Sequence, residues 1–332
     1  MNLFTQRSLA LGIALAALVM LPLWFGQSYY IRICNEILYW SIFALALNVL
    51  VGYGGLVSLG HAGLFAITGY AAALMLESGH GHIAAGLTAI GAALLASAIY
   101  AVLALRATGI GFLMITLALG QIVWGVAYRW ADLTHGDNGV NVRNLPAPFG
   151  IDLSSPQSFY IMTAVVFFAA AGSMAIFARS PFGASLCGTR VQPRRMTALG
   201  YNVWLIRLLA FLFSGFWTGI AGLLFVYHKQ YISPQTSGLQ TSAEVLLMVI
   251  SGGTATLLGP IAGAAMVVIM KNVVSAYVVR WNLVLGIVFV AIISFMPDGL
   301  VPGSARLWRM SWQGARARLD AFRAQAPKDR RR

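Results

Sequence analysis

Apolar residues along this chain come in long blocks, each near the roughly 20 residues that a helix needs to cross the hydrocarbon core of a bilayer. Continuous blocks at 8–27, 83–105, 110–128, 157–178, 208–228 and 281–297 predict spanning helices. Shorter or glycine-broken apolar stretches lie at 36–51, 61–76 and 243–275. The last is interrupted by Gly252-Gly253-Thr254 and Gly259-Pro260, so it reads as one long tilted helix or as two segments joined by a hairpin.

Composition makes the lipid reading firm. Of 332 residues, 59% are AVILMFWYC and only 9% are charged, against roughly 45–50% apolar and about 25% charged in soluble domains. There are 22 Lys+Arg and 9 Asp+Glu, a net charge of +13. In a soluble protein that excess would point to nucleic acid; in a membrane protein basic residues mark the cytoplasmic side. Two stretches are densely basic, 179–207 and 306–332, and both are expected in the cytoplasm. An even number of crossings must separate them, which holds only if 243–275 counts twice, divided near Gly252-Gly253. Six segments upstream likewise keep Arg7 and the 179–207 loop on one side. The predicted fold is therefore an all-α polytopic helix bundle of about ten membrane segments, the short ones candidates for re-entrant segments, with both termini cytoplasmic.

In this topology the whole charge excess falls inside, so the basic balance is an orientation signal and no nucleic-acid partner is expected. Residues 1–303 form the membrane domain, and 304–332 a basic cytoplasmic tail able to lie on anionic headgroups, at about 1 kcal/mol per basic residue. The block after Arg7 has the look of a signal peptide, but Phe25-Gly26-Gln27-Ser28 lacks a small-x-small cleavage pattern, so it is expected to be retained. Cys34 falls outside and Cys187 inside, which keeps them from pairing. The longest external loop, 129–156, carries turn chemistry at Asp137-Asn138-Gly139.

Reactive groups are scarce at depth. Polar positions within the segments are Asn48, His61, Thr116 and Gln121, with Glu244 near an external boundary. Ser58 and His61 stand three apart and can share a helix face, but no third partner completes a nucleophilic triad. His80-Gly81-His82 has no Cys or carboxylate nearby to complete a metal site, so neither metal nor cofactor is expected. An ion-coupled secondary transporter would place charges inside the bundle, and Glu244 is the sole candidate. None of Lys229, Lys271 and Lys328 completes a G-x-x-x-x-G-K-[ST] phosphate loop. If the chain drives solute uphill, another subunit must hydrolyse ATP.

Two features carry more texture. Gly54-Gly55 through Gly63 echoes Gly252-Gly253 through Gly263: each runs Gly-Gly, Leu-Gly or Leu-Leu-Gly, then Gly, and opens a small-residue apolar segment. Paired Gly/Pro-broken short helices occur in transporter repeats, and close glycine packing of helices is the plainer reading. The loop 179–207 predicts a short helix, capped by Ser180 or Thr189 and ended at Gly200. An amphipathic cytoplasmic helix there could dock into a partner groove, or the loop could be only a solvated basic connection.

At this loop the chain resembles a known family. Ser180-Pro181-Phe182-Gly183, Arg190, Arg194-Arg195, Ala198-Leu199-Gly200-Tyr201-Asn202-Val203 and Gly219-Ile220-Ala221-Gly222 closely resemble the LivM-type permeases of branched-chain (hydrophobic) amino-acid ABC importers. The likeness extends through Asn48–Gly63, Thr116-Leu117-Ala118, Gln121, Asp137-Asn138-Gly139, Leu258–Ala264 and Pro297-Asp298-Gly299-Leu300, covering roughly 33–303. It implies a transport subunit and not an enzyme, half of a translocation pore in a bacterial inner membrane. The implied partners are a second related permease, two cytoplasmic ATPase subunits and an extracytoplasmic substrate-binding protein. Carried onto this chain, Arg190, Arg194, Arg195, Leu199, Gly200 and Tyr201 fall in the ATPase-coupling loop. Asn48, Ser58, His61, Thr116 and Gln121 are pore-lining candidates, and Gly54, Gly55, Gly252 and Gly253 the hairpin glycines. The loop departs from the family in one place, with Val191 where an acidic residue usually follows the arginine. Relatives of this kind import branched-chain amino acids, urea or short amides, so an importer for urea or amides is an alternative, as is, in a different class, an ion-coupled secondary transporter.

Overall fold

The computed structural model describes residues 28–142, 155–278, 280–296 and 299–303. The expected first segment at 8–27, the basic tail, most of the second half of the external loop and Pro297-Asp298 lie outside the described residues. The main helices are α1 Ser28–Asn48, continued by a π-helical turn Val49–Gly54, α2 His61–Glu77, α3 His82–Ala104 and α4 Ile110–Arg129. They are followed by α5 Pro156–Arg179, α6 Pro181–Val191, α7 Pro193–Ala198, α8 Val203–Lys229, α9 Leu239–Gly252, α10 Leu258–Ile269 with a π turn Met270–Val274, and α11 Trp281–Phe295. Two two-residue strands, β1 Val140–Asn141 and β2 Tyr231–Ile232, pair antiparallel near the ends of α4 and α8.

Among the described residues six helices are long and apolar enough to cross a membrane: Ser28–Gly54, His82–Ala104, Ile110–Arg129, Pro156–Arg179, Val203–Lys229 and Leu258–Tyr277. Leu239–Gly252 and Trp281–Phe295 are apolar but shorter. The stretch 243–275 is indeed broken at Gly252-Gly253 into α9 and α10, which pack against each other. One boundary is corrected. The block expected at 36–51 begins at Ser28, so Cys34 sits inside α1 and not in an external loop; both cysteines are free.

Helix α1 is the axle of the bundle. Over its most apolar stretch 89% of residues are buried inside the chain, against 22% for α4. It packs on α5, α8, α9 and α10, with the stacked rings of Trp40, Phe43 and Phe65 joining it to α2.

Packing is sorted by side-chain size. On α3, the face bearing Ala85, Ala89, Ala93, Ser97 and Ala101 is fully buried, while Leu87, Leu95 and Ile99 are more than half exposed. The buried face meets glycines of α8: a Cβ at Gly219 would come within 2.6 Å of the Ala93 Cβ, and one at Gly215 within 2.6 Å of the Ser97 Cβ. Lipid is as apolar as leucine, so burial of large apolar groups gains little in a membrane. Close backbone approach through small residues is what draws helices together there.

Candidate functional site

Between the end of α1 and the start of α2 the chain leaves helical geometry, and residues 55–60 reach α2 as irregular backbone. Unpaired N–H and C=O groups at membrane depth each cost several kcal/mol, so such a stretch persists only where protein groups satisfy it. Here they do. The Leu56 N–H donates to Leu50 O at 2.9 Å, and the Leu59 N–H donates to Thr116 Oγ1 on α4 at 3.2 Å. The Ala62 N–H, at the first turn of α2, donates to Ser242 Oγ on α9 at 3.3 Å. Thr116 in turn donates to Leu113 O at 2.9 Å.

His61 lies at the centre, 1% exposed, and the directions of its hydrogen bonds follow from its neighbours. Ser214 on α8 spends its hydroxyl proton on Ala46 O at 2.7 Å. It can therefore only accept at 3.2 Å from His61 Nε2, which must carry the ring proton. The other nitrogen, Nδ1, accepts from the Ser58 hydroxyl at 2.7 Å. A neutral, Nε2-protonated ring thus ties α1, α2, the irregular segment and α8 together. Among the described residues no carboxylate joins Ser58 and His61, whose side-chain bonds go to each other, to Ser214 and to the Gly60 N–H.

The two glycine hairpins suspected of being related meet in space. Asn48 Nδ2 donates to Thr256 O at 2.9 Å, while its Oδ1 accepts from the Ala255 N–H at 3.0 Å. One side-chain amide therefore holds the peptide of the second hairpin as a strand partner would. Gly52 lies directly under Ala255, with no room for a Cβ. Gly55 at φ +66 and Gly253 at φ +117 make the sharp exits from their helices, conformations that strain any residue with a Cβ.

The basic loop joins this hub from one end of the bundle. Instead of one short helix it forms two, α6 and α7, broken at Gln192-Pro193. Ser180 is the cap, its Oγ accepting from the Gly183 N–H at 3.1 Å, and Gly200 at φ +86 ends α7. Thr189 is instead buried and donates to Leu186 O at 2.8 Å. Arg190 turns inward: its stem covers Gly55 and its guanidinium donates to Gly52 O. Arg207 donates to Thr189 O at 2.8 Å, fastening α8 to α6. Arg194, Arg195, Leu199, Gly200 and Tyr201 project outward, as does Val191 at 78% exposed.

Of the pore-lining candidates, Ser58 and His61 are thus bonded to each other, Thr116 holds the adjoining irregular segment and Asn48 holds the second hairpin, each at most 2% exposed. Gln121 stands apart on the little-buried face of α4, in a shallow groove with Trp124, Arg129 and Trp130. Sequence reasoning missed Ser214, since a serine in a spanning helix reads as background. It also missed Glu36, which is 7% exposed and bonded to Lys229 and Asn272 at the opposite end of the bundle from Arg190.

A bundle of apolar helices sorted by side-chain size, with discontinuous glycine-hinged segments meeting at depth around a neutral polar network, is the construction of a membrane transport protein. Residues 29–293 match the family described as branched-chain amino acid transport system / permease component, and the chain belongs to that family. Among curated proteins it is similar to the high-affinity branched-chain amino acid transport system permease protein LivM of Salmonella typhimurium, 26% identical over 299 residues, covering 82% of this chain and 70% of that one. The protein of the same description from Escherichia coli K12 is 28% identical over 289 residues, covering 79% and 67%. No solved structure matches the chain significantly. The family comprises transport components of multi-subunit systems, not enzymes.

Proposed function

We propose that the chain is one of two related permease subunits of an ATP-driven importer of branched-chain amino acids in a bacterial inner membrane. Two cytoplasmic ATPases and an extracytoplasmic binding protein complete the complex. The observation that carries this beyond family membership is the Arg190 strut. It joins an outward-projecting basic helical pair, suited to a soluble partner, to the hinge that holds both glycine hairpins. Motion imposed on α6–α7 would thereby reach Gly52, Asn48 and the second hairpin through direct contacts. Within this reading Arg194, Arg195, Leu199, Gly200 and Tyr201 meet the ATPase, and Arg190 transmits. Gln121, with the stacked Trp124 and Tyr128 (5.3 Å between ring centroids) on the same little-buried helix, faces the second permease across the pore. Asn48, Ser58, His61 and Thr116 shape that wall from behind.

Ten segments with both termini cytoplasmic remain the topology of this reading, with the membrane domain ending near 303 and a basic tail beyond it. The antiparallel approach of α9 and α10, with Lys271 Nζ 3.6 Å from Glu244, supports counting 243–275 twice. The urea or amide reading and the ion-coupled reading are less favoured, since the family and both relatives carry branched-chain amino acid transport in their descriptions. The test is uptake by vesicles containing the whole complex. Labelled leucine, isoleucine and valine should accumulate and labelled urea should not; urea accumulation without leucine uptake would replace the substrate assignment.

A further inference from the structure

At the end of the bundle away from Arg190, a cavity of about 600 Å³ opens between the first turns of α1 and α5 and the last turn of α8. Its polar lining is unusual for so uncharged a chain. Glu36 is 7% exposed, with Lys229 Nζ at 3.4 Å and the Asn272 amide donating to it at 3.3 Å. Asn35 beside it is 2% exposed, and its Oδ1 accepts no hydrogen bond. A buried amide oxygen without a donor costs about 1–3 kcal/mol, which a ligand donor would recover. Arg32 lies exposed at the rim, with no carboxylate within ion-pair distance among the described residues. Ile33 and Phe159 add apolar wall.

We infer that this cavity is a zwitterion site, which takes an α-amino acid with its ammonium on Glu36 and Asn35 Oδ1, its carboxylate on Arg32 and Lys229, and its side chain against Ile33 and Phe159. The vacant acceptor calls for a cationic or N–H donor, and the surplus cation calls for an anion. A zwitterion supplies both groups in one molecule, whereas a simple carboxylate lacks the donor and a neutral amide lacks the anion. The inference rests on the amino-acid reading above, whose topology puts this end outside the cytoplasm.

The test is equilibrium binding of labelled L-leucine to the purified complete complex without its binding protein. Leucinamide and 4-methylpentanoate, each lacking one charge, serve as competitors. The expected result is saturable binding that leucine displaces and neither analogue does. Arg32→Gln, at an exposed position, should weaken binding about tenfold, the loss of one charge-assisted contact. The paired exchange Glu36→Lys with Lys229→Glu keeps an ion pair and should abolish binding. Absence of saturable binding at millimolar leucine, equal competition by 4-methylpentanoate, or unchanged binding in Arg32→Gln overturns the site. ATP-dependent leucine uptake on the same preparation separates the two readings. Uptake without binding sinks this site alone, and loss of both sinks the importer of amino acids as well.

Discussion

Asn48 shows how much a single side chain can do when backbone leaves helical form inside a membrane. Its amide both donates to and accepts from residues more than 200 positions away. No hydrocarbon-facing alternative exists for those two peptide groups. Asn48→Ala is expected to destabilise the protein by about 1–3 kcal/mol, the cost of orphaned buried polar groups. Asn48→Asp should do worse than a loss of packing alone predicts, because a carboxylate keeps the Ala255 N–H but repels Thr256 O; thermal unfolding in detergent reads both. Ser214→Ala removes the acceptor of His61 Nε2 and should cost a similar amount, whereas Ser214→Thr keeps the hydroxyl and should recover part of it. The sequence marks Asn48, His61 and Thr116 as polar interruptions of apolar blocks. It does not distinguish a pore wall from a clamp, because the partners of Asn48 are backbone atoms that any sequence would supply. Glu36 escaped notice for a related reason: at the edge of an apolar block a carboxylate reads as the end of the segment, when Lys229 and Asn272 allow it to be buried.

At the scale of elements, hydropathy locates the spanning blocks, and the division of 243–275 at Gly252-Gly253 follows from charge parity before any coordinates. The start of α1 does not. Arg32, Asn35 and Glu36 break the apolar run, yet the helix continues through them because their polar ends find partners or open cavity. Packing faces are equally hidden from hydropathy, since both sides of α3 are apolar and only size separates them. Gly219→Leu should wedge α8 from α3 and lower stability by roughly 1–3 kcal/mol or more, seen as a lower unfolding temperature, while Leu95→Ala on the exposed face of α3 should be near neutral. The basic helical pair divides its arginines by direction, and the prediction follows that division. Arg194→Glu with Arg195→Glu should leave the protein inserted and stable but uncouple hydrolysis from transport. Arg190→Met should loosen α6 from the Gly52 hinge, lowering thermal stability as well as transport. Normal transport by the double variant would remove its coupling role, and unchanged stability of Arg190→Met would remove the strut.

For the whole molecule, the proposed orientation rests on the net charge of +13 and on the break between α9 and α10. A cysteine placed at Ser78, in the exposed turn between α2 and α3, should react with a membrane-impermeant maleimide in intact cells. One placed at Thr197 on α7 should react only after permeabilisation; the reverse pattern would invert the topology. In the proposed importer, transport against a gradient draws on ATP hydrolysis by partner subunits. The most direct measurement is leucine accumulation by vesicles holding the complete complex, with ATP inside, comparing intact ATPase subunits with a variant that binds but does not hydrolyse ATP. Accumulation should fall to the level of vesicles lacking this chain; undiminished accumulation with the inactive ATPase would contradict the importer assignment.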